Sequence, residues 1–189
     1  MGELVALSRD QVIETAVGLL RRYGLGDLTM RRLARELGVA PGALYWHVAN
    51  KQELLVEVAD ALLSEIPVPA AGQPPAEALV GLSVAVREAL AQVPDAADVV
   101  GMAYAVEPGA TRALRELARL VHEAGAPASE RDEVALLVVH HILGSVAGQH
   151  NRRLAALADP ELPPPDVAGE AKAFEVGLAV ILRGLVHSR

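Results

Sequence analysis

Apolar residues recur at helical spacing through most of the chain. Val12, Ile13, Ala16, Val17 and Leu20 form a stripe that predicts a helix from about Arg9 to Tyr23. Ser8 with Gln11 makes a capping-box start for it, and Gly24 and Gly26 end it. Leu28, Leu33, Ala34 and Leu37 mark a second, short helix. Thr29 can cap that helix, and Gly38 supplies a left-handed residue to stop it. Pro41 falls in the first turn of a third helix, where its missing N–H costs nothing. Two helices joined by a tight turn containing Gly describe a helix-turn-helix, whose second helix enters the DNA major groove.

The stripes continue beyond this unit. Asn50 with Glu53 opens a fourth helix through Leu54, Leu55, Val58 and Leu62 to Ile66. The Pro- and Gly-rich stretch from Pro67 to Pro75 breaks the pattern and reads as a loop. Further helices are predicted over 75–93, 95–104 and 108–124, then a long one over 130–158 opened by Ser129 with Asp132. Pro160 to Pro165 interrupts the chain before a last helix over 167–186. No alternating strand pattern or hairpin turn competes. The expected fold class is all-α: an N-terminal three-helix domain over 1–52 and a larger helical domain over 53–189.

Composition supports that reading and narrows the function. Hydrophobic residues make up 52%, mostly strong helix formers, and aromatics only 3%. No apolar run approaches a bilayer span and no leader pattern is present, so a cytoplasmic protein with no membrane partner is expected. Without cysteine, disulfides and thiolate metal sites are excluded. The net charge of −7 hides a division. Six basic residues (Arg21, Arg22, Arg31, Arg32, Arg35, Lys51) face two acids (Asp27, Glu36) between 21 and 51. Residues 61–189 carry ten basic and sixteen acidic residues. A basic tip on an acidic body still neutralises phosphates locally, while the body discourages coating of DNA.

The run Leu44-Tyr45-Trp46-His47-Val48 followed by Asn50-Lys51 resembles the end of the recognition helix in the TetR family of bacterial repressors, closest to its tetracycline-repressor branch. The likeness extends through Ser8–Gly24 and Glu53-Leu54-Leu55, and more weakly to His140–Val146 and Gly177–Gly184. It implies a homodimeric repressor that binds a palindromic double-stranded operator and is released by a small-molecule effector. By that resemblance Thr29, Arg31, Tyr45, His47 and Lys51 face DNA, with Pro41, Gly42 and Ala43 at the base-reading positions. Those three offer few donors to bases, so Arg31, apolar contact with thymine methyls and DNA shape must carry specificity. Trp46 is expected to pack inward, and Arg32 and Arg35 read equally as solvated charges or phosphate contacts.

The same resemblance implies an effector pocket in the second domain. The branch's magnesium–drug chelate has no ligands here: Pro67 and Gly148 fall near two of the ligand positions, and Asp98–Met102 lacks a His. A different, largely apolar effector is expected, with no cofactor and no metal. Met102, Tyr104, Leu114, Leu117, Val121, Leu137, His140, His141 and Gly144 are the candidate lining. His140 and His141 diverge by about 100° on a helix, so at most one faces a pocket. The i, i+4, i+7, i+11 seam Phe174, Leu178, Ile181 and Leu185 reads on pattern alone as burial within one subunit or as an interface. The resemblance makes it, with Leu143 and Ala147, the expected dimer contact. No phosphate loop, zinc pair or nucleophile elbow occurs, so catalysis is not expected. The alternative is a DNA-binding dimer controlled by a protein partner, or an activator, without a small-molecule inducer.

Overall fold

A computed structural model describes residues 7–70 and 72–187, with side chains as far as Gly184. Its described residues form helices α1 (Arg9–Tyr23), α2 (Met30–Glu36), α3 (Pro41–Leu44), α4 (Lys51–Leu63), α5 (Pro75–Ala91), α6 (Ala96–Val106), α7 (Arg112–Glu123), α8 (Arg131–Ala158) and α9 (Val167–His187). A single 3-10 turn, Leu25–Asp27, separates α1 from α2. Among the described residues no strand occurs, and no helix is long and apolar enough to cross a membrane.

Local chemistry fixes the helix ends near the N-terminus. Ser8 Oγ accepts from the Gln11 N–H at 3.1 Å while Gln11 Oε1 accepts from the Ser8 N–H at 2.9 Å. Thr29 Oγ1 accepts from the Arg32 N–H, and Gly38 ends the α2 turn at φ 68°. Asn50 Oδ1 accepts from the Glu53 N–H at 2.9 Å, and the Glu53 carboxylate accepts from the Ala49 N–H rather than closing on Asn50 itself. Each such cap is worth about 1 kcal/mol.

Two starts differ from the sequence reading. α7 begins at Arg112 rather than near Pro108, because Thr111 Oγ1 supplies its cap to the Leu114 N–H. α8 begins without a side-chain cap, so Ser129 does not open it. α4 and α5 also stop short of the expected Ile66 and Val93.

One apolar core runs from Val12 to Leu178. α4 packs against both α1 and α6, which makes it the lever between the N-terminal helices and the rest. α5 packs on α7 and α8, and α9 lies along α8. Full burial of each large aliphatic side chain in this core contributes roughly 1.5–3 kcal/mol.

Candidate nucleic-acid interface and effector domain

The reading head is built on a short hydrophobic scaffold. Leu28, Leu33, Leu44 and Val48 are buried, which fixes α2 and α3 by their inner faces and leaves their outer faces to solvent. Thr29 and Arg31 then stand exposed at the start of α2, and Lys51 is the exposed first residue of α4. Pro41 and Gly42 are exposed, while Ala43 and His47 are partly covered. Thr29 spends one oxygen lone pair on the Arg32 N–H, and its O–H remains free to donate to a phosphate.

Trp46 corrects the sequence reading. It is 90% exposed, and Tyr45 is 53% exposed. Regular helix ends at Leu44 and the chain continues as a turn through His47. Leu44 and Val48 take the inward positions, so Tyr45 and Trp46 both project outward. Helical phase, extended past the end of the helix, placed Trp46 inside.

The structure also separates the cations. Arg22 pairs with Glu36 at 2.8 Å. Arg32 pairs with Asp27, and its guanidinium lies 4.0 Å from the Tyr23 ring centroid. Neither is a free charge. Among the described residues, Arg21, Arg31, Arg35 and Lys51 have no ion-pair partner. On the helix-turn-helix this leaves Arg31, Arg35 and Lys51 for a polyanion, since Arg21 borders a hollow shared with Asp10, Glu14, Glu57, Asp60 and Glu65.

Two further contacts hold the head to the remaining helices. Arg9 on α1 reaches Glu57 at 2.7 Å and Glu53 at 2.9 Å on α4. The hydrogen bond that Arg9 donates to Glu57 leads the effects that raise the Arg9 pKa. The second contact was not visible in the sequence. Asp95 precedes α6 in the left-handed region (φ 55°, ψ 14°), unusual for a residue with a side chain. Its Oδ2 accepts from the Leu25 N–H at 2.8 Å, and its Oδ1 faces His150 Nε2 on α8 at 3.2 Å. One carboxylate thus joins the head, α6 and α8. Gly24 makes room for it: φ is 75° there, and a Cβ would come within 2.5 Å of Asp95 Oδ2.

The residues expected to line an effector pocket divide among several places. His140, His141 and Gly144 border one hollow of about 640 Å³ between α8 and α9, so both histidines face it where at most one was expected. Leu114, Leu117 and Val121 are buried on the inner face of α7. Leu137, His140 and Gly144 lie on the exposed side of α8, and Met102 is half exposed on α6. His141 stacks on Phe174 with centroids 4.9 Å apart, its Nε2 2.9 Å from the Phe174 carbonyl oxygen. A carbonyl only accepts, so that nitrogen carries a proton. Tyr104 and Leu114 share a hollow of about 530 Å³ with Leu136 and Asp132. Burial, and then the Asp132 charge, push the Tyr104 phenol up, which keeps it a hydrogen-bond donor.

The expected dimer contacts need a similar correction. Phe174 and Leu178 are 3% and 1% exposed within the single chain, so they are spent on packing α9 inward. Leu143, Ala147 and Ile181 are partly buried against the same core, and the Leu185 side chain lies outside the described residues. The outward face of α9 presents Ala173, Val176 and Val180 instead. A seam in sequence shows that a helix has an apolar side; it does not say which neighbour covers it.

Comparison with known proteins decides the family. The sequence pattern of the family described as bacterial regulatory proteins, tetR family, matches residues 12–58, most of α1, all of α2 and α3, and most of α4. The tetracycline repressor class A from transposon 1721 of Escherichia coli is 32% identical, over 98% of this chain and 94% of its own length. The chain belongs to the TetR family. This TetR-family chain also matches BioQ of Mycobacterium smegmatis with a TM-score of 0.80 and 34% identity, covering 95% of this chain and 98% of that one. BioQ with its double-stranded DNA operator gives 0.78 and 33%, with the same coverage. ActR of Streptomyces coelicolor in complex with (S)-DNPA gives 0.79 and 26%, over 98% of this chain and all of that one. The protein is therefore a helix-turn-helix DNA-binding transcription regulator, similar to ligand-responsive repressors, with a larger helical domain behind its head.

Proposed function

We propose that this TetR-family regulator is a repressor that binds a palindromic operator as a homodimer and leaves it when a small, largely apolar ligand enters its larger domain. The observation that carries this reading is the set of exposed, unpaired cations on the helix-turn-helix and the start of α4: Arg31, Arg35 and Lys51. Thr29, Tyr45, His47 and Lys51 position the head on phosphates, and Arg31 reads a base edge. Pro41, Gly42 and Ala43 bring the backbone of α3 close to thymine methyls. Trp46 joins them as an exposed aromatic surface against the sugar–phosphate backbone.

Dimerisation is assigned to the outward faces of α8 and α9: Leu137, His140 and Gly144 on one, Ala173, Val176 and Val180 on the other. Half-exposed Val and Leu side chains beside Gly and Ala suit close packing of two helix pairs about a twofold axis. Release follows from linkage. α4 and the Asp95 carboxylate tie the head to α6 and α8, so a ligand that binds better when those helices shift separates the two heads. The operator complex of BioQ and the ligand complex of ActR support both halves of this reading by similarity.

A second reading keeps the DNA-binding dimer and replaces the small molecule by a protein partner. The close packing of Leu117 and Val121, where a pocket was expected, favours it. The testing experiment is a titration against tiled DNA from the gene's own upstream region at two salt concentrations. One tile bound far above the rest, more weakly as salt rises, is the expected result. Absence of binding to every tile at low salt removes the repressor reading.

A further inference from the structure

Arg87 on α5 is 6% exposed, and no carboxylate among the described residues lies within ion-pair distance of it. Its Nε donates to Ser145 Oγ at 2.9 Å, and a terminal nitrogen donates to Gln149 Oε1 at a long 3.4 Å. Its guanidinium carbon lies 5.4 Å from the Phe174 ring centroid. All three partners are neutral. A guanidinium keeps its proton throughout the accessible pH range and presents five N–H donors in a planar fork. Two acceptors and one ring leave its charge uncompensated, and a Met or Leu at the same place would avoid the desolvation cost altogether.

The surroundings point to what supplies the missing charge. Gln149, the weaker of the two hydrogen-bond partners, lies on the wall of a hollow of about 390 Å³ between the end of α5, the start of α6 and α8. Leu90, Val93, Val146 and Leu154 give that hollow its apolar patches and Arg153 a cation, while Arg87 stands behind Gln149 and off the wall. Its size lies within the range of roughly 300–1,000 Å³ of small-molecule sites. The same wall holds Asp95 and His150, the pair that reaches the Leu25 N–H of the head.

We propose that Arg87 anchors the carboxylate of an apolar organic acid, which displaces Gln149 from the guanidinium and rests its body in this hollow against Asp95 and His150. The assignment rests on the ligand-responsive reading above and names the ligand's chemical class. A carboxylate matches the planar fork in two parallel hydrogen bonds. Asp95 and Asp98 on the same wall repel a dianionic phosphate more strongly than a monoanion. Occupancy would press on the one carboxylate that bridges head, α6 and α8.

The test uses the full chain with 4-phenylbutyrate, its neutral amide 4-phenylbutanamide, and phenyl phosphate, measured by calorimetry and thermal melting. Wild type should bind the acid at least tenfold tighter than the amide. Arg87→Met should bind acid and amide alike and, without ligand, melt no lower than wild type. Gln149→Glu supplies a counter-ion within the chain, so it should melt higher and lose the acid preference; it decides the matter should Arg87→Met fail to fold. Wild type indifferent to the acid, an acid preference that survives in Arg87→Met, or tighter binding of phenyl phosphate overturns the assignment. Operator binding by wild type is measured in parallel. Its absence undoes the regulator reading, whereas its presence without an acid preference undoes only this inference.

Discussion

Arg31 and Lys51 are both exposed and unpaired, yet they should fail differently when removed. Arg31→Ala should flatten the preference among operator variants, each lost base contact amounting to about 1–3 kcal/mol of discrimination. Lys51→Ala should weaken every sequence alike and lower the salt slope by about one unit. Equal weakening of all variants by Arg31→Ala would reduce that residue to a positional role. Trp46→Ala should change the melting temperature little, since the ring touches almost nothing in the fold, while reducing operator affinity. Legibility at this scale followed locality. Thr29 and Gly38 act on their own turn, so residue type and spacing sufficed. Trp46 depended on where α3 stops, and Arg32 on its meeting Asp27 and Tyr23, neither of which periodicity reports.

Helices and their joints set how the head is held. Replacing Gly24 by Ala forces a side chain into a left-handed backbone and against Asp95, and should destabilise the protein by more than about 1 kcal/mol in a denaturant melt. Asp95→Ala should leave both parts folded but weaken the effect of a releasing ligand on operator affinity, because the Leu25 and His150 contacts are lost together. An unchanged ligand effect in that variant would assign the coupling to α4 alone. The helices themselves were readable because stripes, caps and Pro or Gly breaks are local signals. Their facing was not. Phe174 and Leu178 satisfy a two-helix seam on paper, but α8 within the same chain already covers them. The Arg87 site left a trace that went unused: Ser83 and Arg87, four residues apart, interrupt the buried stripe of Leu79, Leu82, Val86 and Leu90. A charged residue inside such a stripe is the mark of a buried polar site.

Assembly is tested where two copies would meet. Val176→Glu with Val180→Glu places charge on the outward face of α9 without touching the core, and should give a folded monomer by sedimentation with specific operator binding lost. A monomer that still selected the operator would remove the need for twofold pairing. The separation of charge along the molecule has a kinetic consequence. A helix-turn-helix carrying the unpaired cations Arg31, Arg35 and Lys51, joined to a body rich in Asp and Glu, is a permanent dipole in the field of a polyanion. That field exerts a torque on the approaching molecule and turns it head first before contact, so fewer encounters are wasted on the wrong face. The association rate should therefore fall as salt shortens the reach of the field, from a Debye length of about 30 Å at 0.01 M to about 8 Å at 0.15 M.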